Sequence, residues 1–383
     1  MNRTPAVDFS ARLIAWQKIH GRHDLPWQNT HDPYAIWVSE IMLQQTQVSA
    51  VIGYYQRFMQ RFPDSSSLAA AEQEQVMQCW SGLGYYSRAR NLHSAAQILV
   101  REHGGCFPQD FAAIQRLPGI GRSTAAAIAS FAFGQAQTIL DGNVKRVLAR
   151  QFLVEGWPGL PKVEKRLWLL AEALLPEVDM VAYTQGLMDL GATLCTHSKP
   201  NCGACPMRTT CLAYAENRVS QLPTPKPRKA IPERQTTMLL LLHAGEIMLE
   251  KRPGSGIWGG LWSLPEITAE ETSEAIALTR FGLEVEKMPM LAPLVHTFTH
   301  FRLHISPQPL QVTRKPAQAH APGLVWLPIR DAIGAALPTP VRKLLVGLQE
   351  KRQPELPFGG ARDEGTASIL ITLQEARPHA DVA

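Results

Sequence analysis

Between Leu222 and Gln235 the chain reads LPTPKPRKAIPERQ, with four prolines and a basic cluster. Proline fixes φ and removes a backbone donor, so this stretch fits neither a helix interior nor a central strand. Its composition is that of an extended, semi-rigid linker. It separates two regions of different periodicity. Before it, apolar residues recur at spacings of three and four in AVDFSARLIAWQKI, PYAIWVSEIM, AVIGYYQRFMQRF, LHSAAQILVREH, VKRVLARQFL and KRLWLLAEALL, the pattern of amphipathic helices. After it, TTMLLLLHAGEIMLEKR, LWSLPE, LVHTFTHFRLHIS and GLVWLPI read as strands, with a helical AEETSEAIALTRF among them and PTPVRKLLVGLQEK at the end. The expected architecture is an all-α body over 1–222, a linker over 223–235, an α+β domain over 236–350 and a disordered tail over 351–383, thin in core residues.

A chain of 383 residues buries enough core for two domains without covalent staples. Its formal charge of +5 permits nucleic acid as a partner without demanding it. No apolar run approaches the roughly 20 residues of a membrane span, and no signal segment opens the chain. A soluble cytoplasmic protein is expected. Of six cysteines, Cys79 and Cys106 stand alone and read as small apolar fillers. The other four crowd between 195 and 211, which in a reducing cell speaks for a metal centre.

Cys195, Cys202, Cys205 and Cys211 give C-x6-C-x2-C-x5-C. Both structural zinc and an iron–sulfur cluster accept four cysteines, and the residues alone leave the two open. Lys199 and Arg208 lie in the same loop, within reach of a phosphate. Upstream, FAAIQR runs into LPGIG and a helix restarts as RSTAAAIASFAF. A glycine turn opening a helix presents unpaired N–H groups and the positive end of the helix dipole, an anion site; a plain αα corner also wants Gly and Pro. Ser123 fits a helix cap, and its hydroxyl cannot form a Schiff base. Glu40 follows Ile36 and Trp37 at helical spacing, on an apolar stripe where desolvation would keep its proton. Asp141 opens DGNVKRVLAR and reads by default as an N-cap.

With WVSEIMLQQTQV, GLGYYSRARNL, LPGIGRSTAAAI, DGNVKRVLAR, YTQGLMDLGATLC and the cysteine loop in this order, residues 1–222 resemble the adenine DNA glycosylases of the helix-hairpin-helix, iron–sulfur superfamily. The resemblance implies one [4Fe–4S] cluster on the four cysteines. It implies a helix-hairpin-helix over about 111–133, with Gly119 and Gly121 offering amides to a DNA phosphate and hairpin carbonyls holding a monovalent cation. Glu40 would protonate the leaving base and Asp141 would stabilise the sugar cation, with Asn143 orienting the site and Lys145 able to touch it. Gln185 and Arg22 would face the adenine. Gln44, Gln45 and Thr46 would contact bases, while Leu83 and Tyr85, flanked by Arg88, would wedge the stack. Relatives with lyase activity carry a catalytic lysine where Ser123 stands, so the expected enzyme is monofunctional. Its expected partner is double-stranded DNA with 8-oxoguanine:adenine or guanine:adenine mispairs, met as a monomer in a bacterial, nucleoid-associated setting. The rival readings are an endonuclease III type lyase acting on oxidised pyrimidines and a catalytically dead DNA-binding iron–sulfur module.

KRPGSGIWGGLWSLPE resembles the start of a Nudix domain. Gly260 and Glu266 fit the hydrolase motif, but Glu274, Ala275, Leu278 and Thr279 stand where it needs Arg-Glu and a glutamate pair. No carboxylate cluster remains for magnesium, so a recognition module is expected. His296, His300 and His304 alternate with apolar residues as in a strand, where four residues span roughly 13 Å, too far for one metal. Phe298, Thr299 and His300 match the FSH loop with which the family detects 8-oxoguanine; they fit solvent-facing strand residues equally well.

Overall fold

Several helices begin where the sequence supplies a side-chain cap. Asp32 accepts from Tyr34 N, with Pro33 in the first turn of α2 (Pro33–Leu43). Asp110 accepts from Ala113 N at the start of α7 (Phe111–Arg116). Gly104 and Gly134, both left-handed, end α6 (Ser87–His103) and α8 (Arg122–Phe133). The computed structural model describes residues 5–227, 230–314 and 322–352; the tail expected to be disordered lies, beyond Arg352, outside the described residues.

The remaining helices of the first region are α1 (Pro5–His20), α3 (Val48–Arg61), α4 (Ser65–Ala70), α5 (Gln73–Trp80), α9 (Gly142–Gln151), α10 (Pro161–Ala173), α11 (Met180–Asp189) and α12 (Leu212–Ala215). A π-helical turn, Leu190–Leu194, extends α11. Strands follow: β1 (Glu233–His243), β2 (Glu246–Lys251), β3 (Trp262–Ser263), β4 (Glu266–Ile267), β5 (Glu284–Lys287), β6 (Leu294–Thr297), β7 (Arg302–Arg314) and β8 (Leu324–Pro328). They form one mixed sheet with β1 parallel to β7 and antiparallel to β2 and β4. Helix α13 (Ser273–Phe281) packs on one face, and α14 (Ile329–Gly334) and α15 (Thr339–Arg352) follow β8. The run Leu239–Leu242 in β1 is apolar without alternation because both sheet faces are covered, Leu239 and Leu241 on the side of α13 and Leu240 and Leu242 on the other. Pairing of β1 with β7 begins at Glu233 and Arg302, inside the segment read as linker.

Two cores divide the helical body. One joins Leu13, Val147, Leu167 and Leu187. The other runs from Trp37, Phe58 and Trp80 through Trp258 and Leu337 to Leu240 and Ile305 of the sheet, so the two regions share an apolar seam. Polar contacts flank the seam: Arg90 Nη1 donates to Gly259 O at 2.6 Å, Ser81 Oγ to Leu337 O at 2.9 Å and Gln78 Nε2 to Gly334 O at 2.8 Å. This docking sets the second domain over α5 and α6.

Candidate active site

The last turn of α2 carries Glu40. Around it Trp37, Val38, Ile41 and Met42 are buried because α2 is apolar on nearly every side and is wrapped by α3 and α8. Glu40 opens into a cavity of about 630 Å³, lined also by Arg22, Trp27, Ser39, Leu43 and Gln185, a size that suits a small ligand. Burial, and after it the negative charge of Asp141, pushes the Glu40 carboxyl up to about 8. The side chain therefore holds its proton at neutral pH. That Asp141 acts on Glu40 at all means the fold brings α2 and the start of α9 together.

Asp141 does cap α9, through Oδ1, which accepts from Val144 N at 2.8 Å. Its Oδ2 accepts from Asn143 Nδ2 at 3.2 Å. Asn143 Oδ1 accepts in turn from Arg146 Nη2, which also donates to Gly191 O. Gly191 has no room for a side chain, since a Cβ there would stand 2.6 Å from that of Asn143. Ser123 does not cap α8; Gly121 occupies that position, and Ser123 Oγ accepts from Leu140 N at 3.0 Å, fixing the backbone just before Asp141. Lys145 Nζ is engaged by Glu164 at 2.7 Å. Arg22 and Gln185 meet at Asp189, a fully buried carboxylate that sequence reasoning missed. Its signal was an acid in the apolar run GLMDLGATL, a placement too costly to keep unpartnered.

Gln45 and Tyr85 are exposed at φ 55° and 48°, conformations that cost non-glycine residues free energy and concentrate at functional loops. Gln44 Nε2 donates to Thr124 Oγ1 at 3.3 Å. Two residues expected at the duplex are internal. Leu83 is buried in the core next to Trp80. Arg88 is buried as well, and donates to the carbonyls of Ile41, Met42, Gln44, Leu83 and Gly84 and to Thr46 Oγ1. These carbonyls are the orphan acceptors at the end of α2 and in the loop before α6, and one guanidinium satisfies both sets. In the hairpin Gly119 must be glycine: φ is 79° and a Cβ would lie 2.8 Å from that of Asn91. Gly121 is exposed, with open space where a side chain would be.

The four cysteines line one small cavity with Arg150, Asn201 and Arg208. Arg150, itself buried, donates to Cys195 Sγ at 3.4 Å and to the carbonyls of Thr196, His197 and Leu222. Backbone N–H groups of Met207, and of Tyr214 and Ala213, donate to Cys205 and Cys211. Burial, with the three other cysteines adding to it, pushes the Cys205 thiol up to about 11. Among the described residues no group of three or more His, Cys, Asp or Glu able to hold a metal ion occurs. Four cysteines around one cavity, N–H donors aimed at sulfur and a cationic neighbour suit a cluster of several irons.

In the second domain Phe298 stacks on Phe301 at 4.5 Å and 20°, with Trp258 and His296 against it. Thr299 and His300 are exposed. A groove of about 580 Å³ has Tyr85 and Arg90 on one wall and Trp258 and Phe298–His300 on the other, so the loop of Tyr85 and the FTH loop face each other. Glu266 is held by Arg252. Among the described residues no helix is long and apolar enough to cross a membrane.

Residues 38–173 match the HhH-GPD superfamily of base excision DNA repair proteins, and residues 236–346 match the NUDIX domain. The adenine DNA glycosylase of Buchnera aphidicola (subsp. Baizongia pistaciae) is 36% identical over 89% of this chain and 97% of its own length. That of Homo sapiens is 34% identical over 93% of this chain and 76% of its own. This chain belongs to the adenine DNA glycosylase family. Such enzymes act on N-glycosyl bonds in base excision repair. The helical body is also similar to the solved structure of a thermostable thymine-DNA glycosylase, 31% identical, covering 55% of this chain and 97% of that one with a TM-score of 0.51. A helical glycosylase body joined to a Nudix-like domain is thus the family's fold.

Proposed function

We propose that this adenine DNA glycosylase excises adenine paired with 8-oxoguanine or guanine from duplex DNA and leaves the strand intact. One observation carries the reading: Glu40 lines a cavity, and burial together with the charge of Asp141 raises its carboxyl well above the usual carboxylate range. Adenine leaves poorly as an anion. Glu40 donates its proton to N7 of the flipped base as the C1′–N9 bond breaks, so the base departs neutral. The oxocarbenium ion left on the sugar faces the negative charge of Asp141, which Val144 N and Asn143 hold in place. Water then adds to C1′ and returns a proton to Glu40. No amine stands at Ser123 to form a Schiff base, so β-elimination has no nucleophile.

Gln45 and Tyr85 enter the duplex from the rim, and Gly119 and Gly121 present hairpin amides to a phosphate. Phe298, Thr299 and His300, across the groove from Tyr85, receive the opposite strand's lesion. Cys195, Cys202, Cys205 and Cys211 would hold a [4Fe–4S] cluster, which when bound supplies a four-point crosslink of the loop that Arg150 braces. DNA as substrate makes the nucleoid of a bacterial cytoplasm the place of work.

The experiment is a duplex with one adenine opposite 8-oxoguanine, analysed with and without alkali. Strand breaks should appear only after alkali, and Glu40→Gln and Asp141→Asn should each remove them while duplex binding survives. Breaks without alkali, or turnover retained in either variant, would contradict the reading. Purified protein should contain iron and sulfide; stoichiometric zinc would overturn the cluster.

A further inference from the structure

Asp189 closes α11, just before its π-helical turn, and is fully buried. Arg22 donates to it twice, from the backbone N to Oδ2 at 2.9 Å and from Nε to Oδ1 at 2.7 Å. Gln185, one turn earlier on α11, donates from Nε2 to Oδ1 at 2.9 Å. Arg22 and Gln185 line the cavity that holds Glu40; Asp189 does not. A carboxylate paired with a guanidinium is acceptor-only, so the Gln185 amide can meet it only through its NH2 end. Its other end, Oε1, has no protein donor among the described residues and is left for whatever fills the cavity.

The geometry points to Asp189 as a specificity-determining positioning residue: it locks the Gln185 amide with its carbonyl free, so that the cavity accepts a hydrogen bond from an exocyclic amine and rejects a carbonyl at the same place. This rests on the reading that the cavity takes adenine, whose 6-position carries an amine. The same purine with a carbonyl there, hypoxanthine, would set oxygen against oxygen, and an unmet buried acceptor is what makes such discrimination steep. Arg22, tied at Nε, keeps both Nη groups for ring nitrogens or the flipped nucleotide's phosphate.

The test compares single-turnover excision of adenine and of hypoxanthine, each opposite 8-oxoguanine in the same duplex sequence. Both rates come from one preparation, so their ratio cancels the active fraction. Asp189→Asn leaves one acceptor oxygen for the three donors of Arg22 and Gln185, so the Gln185 amide loses its fixed orientation and the adenine-to-hypoxanthine ratio should fall roughly tenfold or more. Gln185→Glu added to Asp189→Asn should bring the ratio back toward wild type, because a carboxyl offers an acceptor either way round. A merely structural Asp189 would lower both rates and leave the ratio alone. Gln185→Ala separates the layers: if it shifts the ratio and Asp189→Asn does not, the positioning role is overturned and the adenine pocket stands. If Gln185→Ala leaves the ratio unchanged, the pocket reading falls and the positioning role with it. Should Asp189→Asn fail to fold, Gln185→Glu alone carries the test. Beside Asp189 it must donate a proton to that carboxylate and turn its carbonyl to the cavity, so its ratio should stay near wild type, and a ratio as low as that of Gln185→Ala would overturn the proposal.

Discussion

At the scale of single residues the site is bought with stability. Glu40 rises from 4.5 to about 8 on folding, so between those values the folded protein binds a proton that the unfolded chain releases. Stability therefore falls as pH rises from 4.5 toward 8. Glu40→Gln has no such slope. In urea unfolding it should exceed wild type by up to about 3 kcal/mol near pH 7, and the gap should close near pH 4; a gap independent of pH would mean that Glu40 is not desolvated. Asp141→Asn tests the opposite case, because asparagine caps a helix about as well as aspartate. Unfolding should barely register that change, while excision stops. Glu40 could be picked from the sequence for a physical reason, its place on an apolar stripe, whereas Asp141 reads there as an N-cap and only the family resemblance singles it out. Asp189 carried only the coarser signal of an acid in an apolar run, because its partner Arg22 lies beyond the end of α1 and nothing local announces that pairing.

Elements explain what single residues could not. In the sequence Arg88 flanks the expected wedge residues Leu83 and Tyr85, and charge composition cannot tell a duplex contact from an internal staple. The structure gives it the carbonyls at the end of α2 and those before α6, so it fixes the two loops that bear Gln45 and Tyr85. Removing it strands several buried acceptors. Arg88→Met should cost about 3–5 kcal/mol in urea unfolding; unchanged stability with weakened DNA binding would return it to the duplex surface. The helical periodicity, the hairpin and the strand character of the segment holding Leu239–Leu242 were legible because each is a short-range pattern. Leu83 was misplaced for the same reason: its loop has a surface composition, and only the Trp80 core beneath it shows that its side chain turns inward.

The whole molecule adds a groove that neither half possesses. Tyr85 and Arg90 come from the body, and Trp258 and Phe298–His300 from the sheet domain, brought face to face by the apolar seam and the bonds from Arg90, Ser81 and Gln78. A linker composition foretold two regions but not how they dock, since the seam depends on Trp258 and Leu337 meeting helices some two hundred residues upstream. Phe298→Ala removes the ring stacked on Phe301. Binding to an 8-oxoguanine:adenine duplex should weaken by roughly tenfold, with little change for guanine:adenine; equal losses on both would assign the loop to general packing. All of this serves one proton. The most direct check on it is the pH dependence of single-turnover adenine excision: the rate should hold across neutrality and fall with an apparent pKa near 8 as Glu40 ionises, whereas a rate that stays level well above that pH would contradict the account.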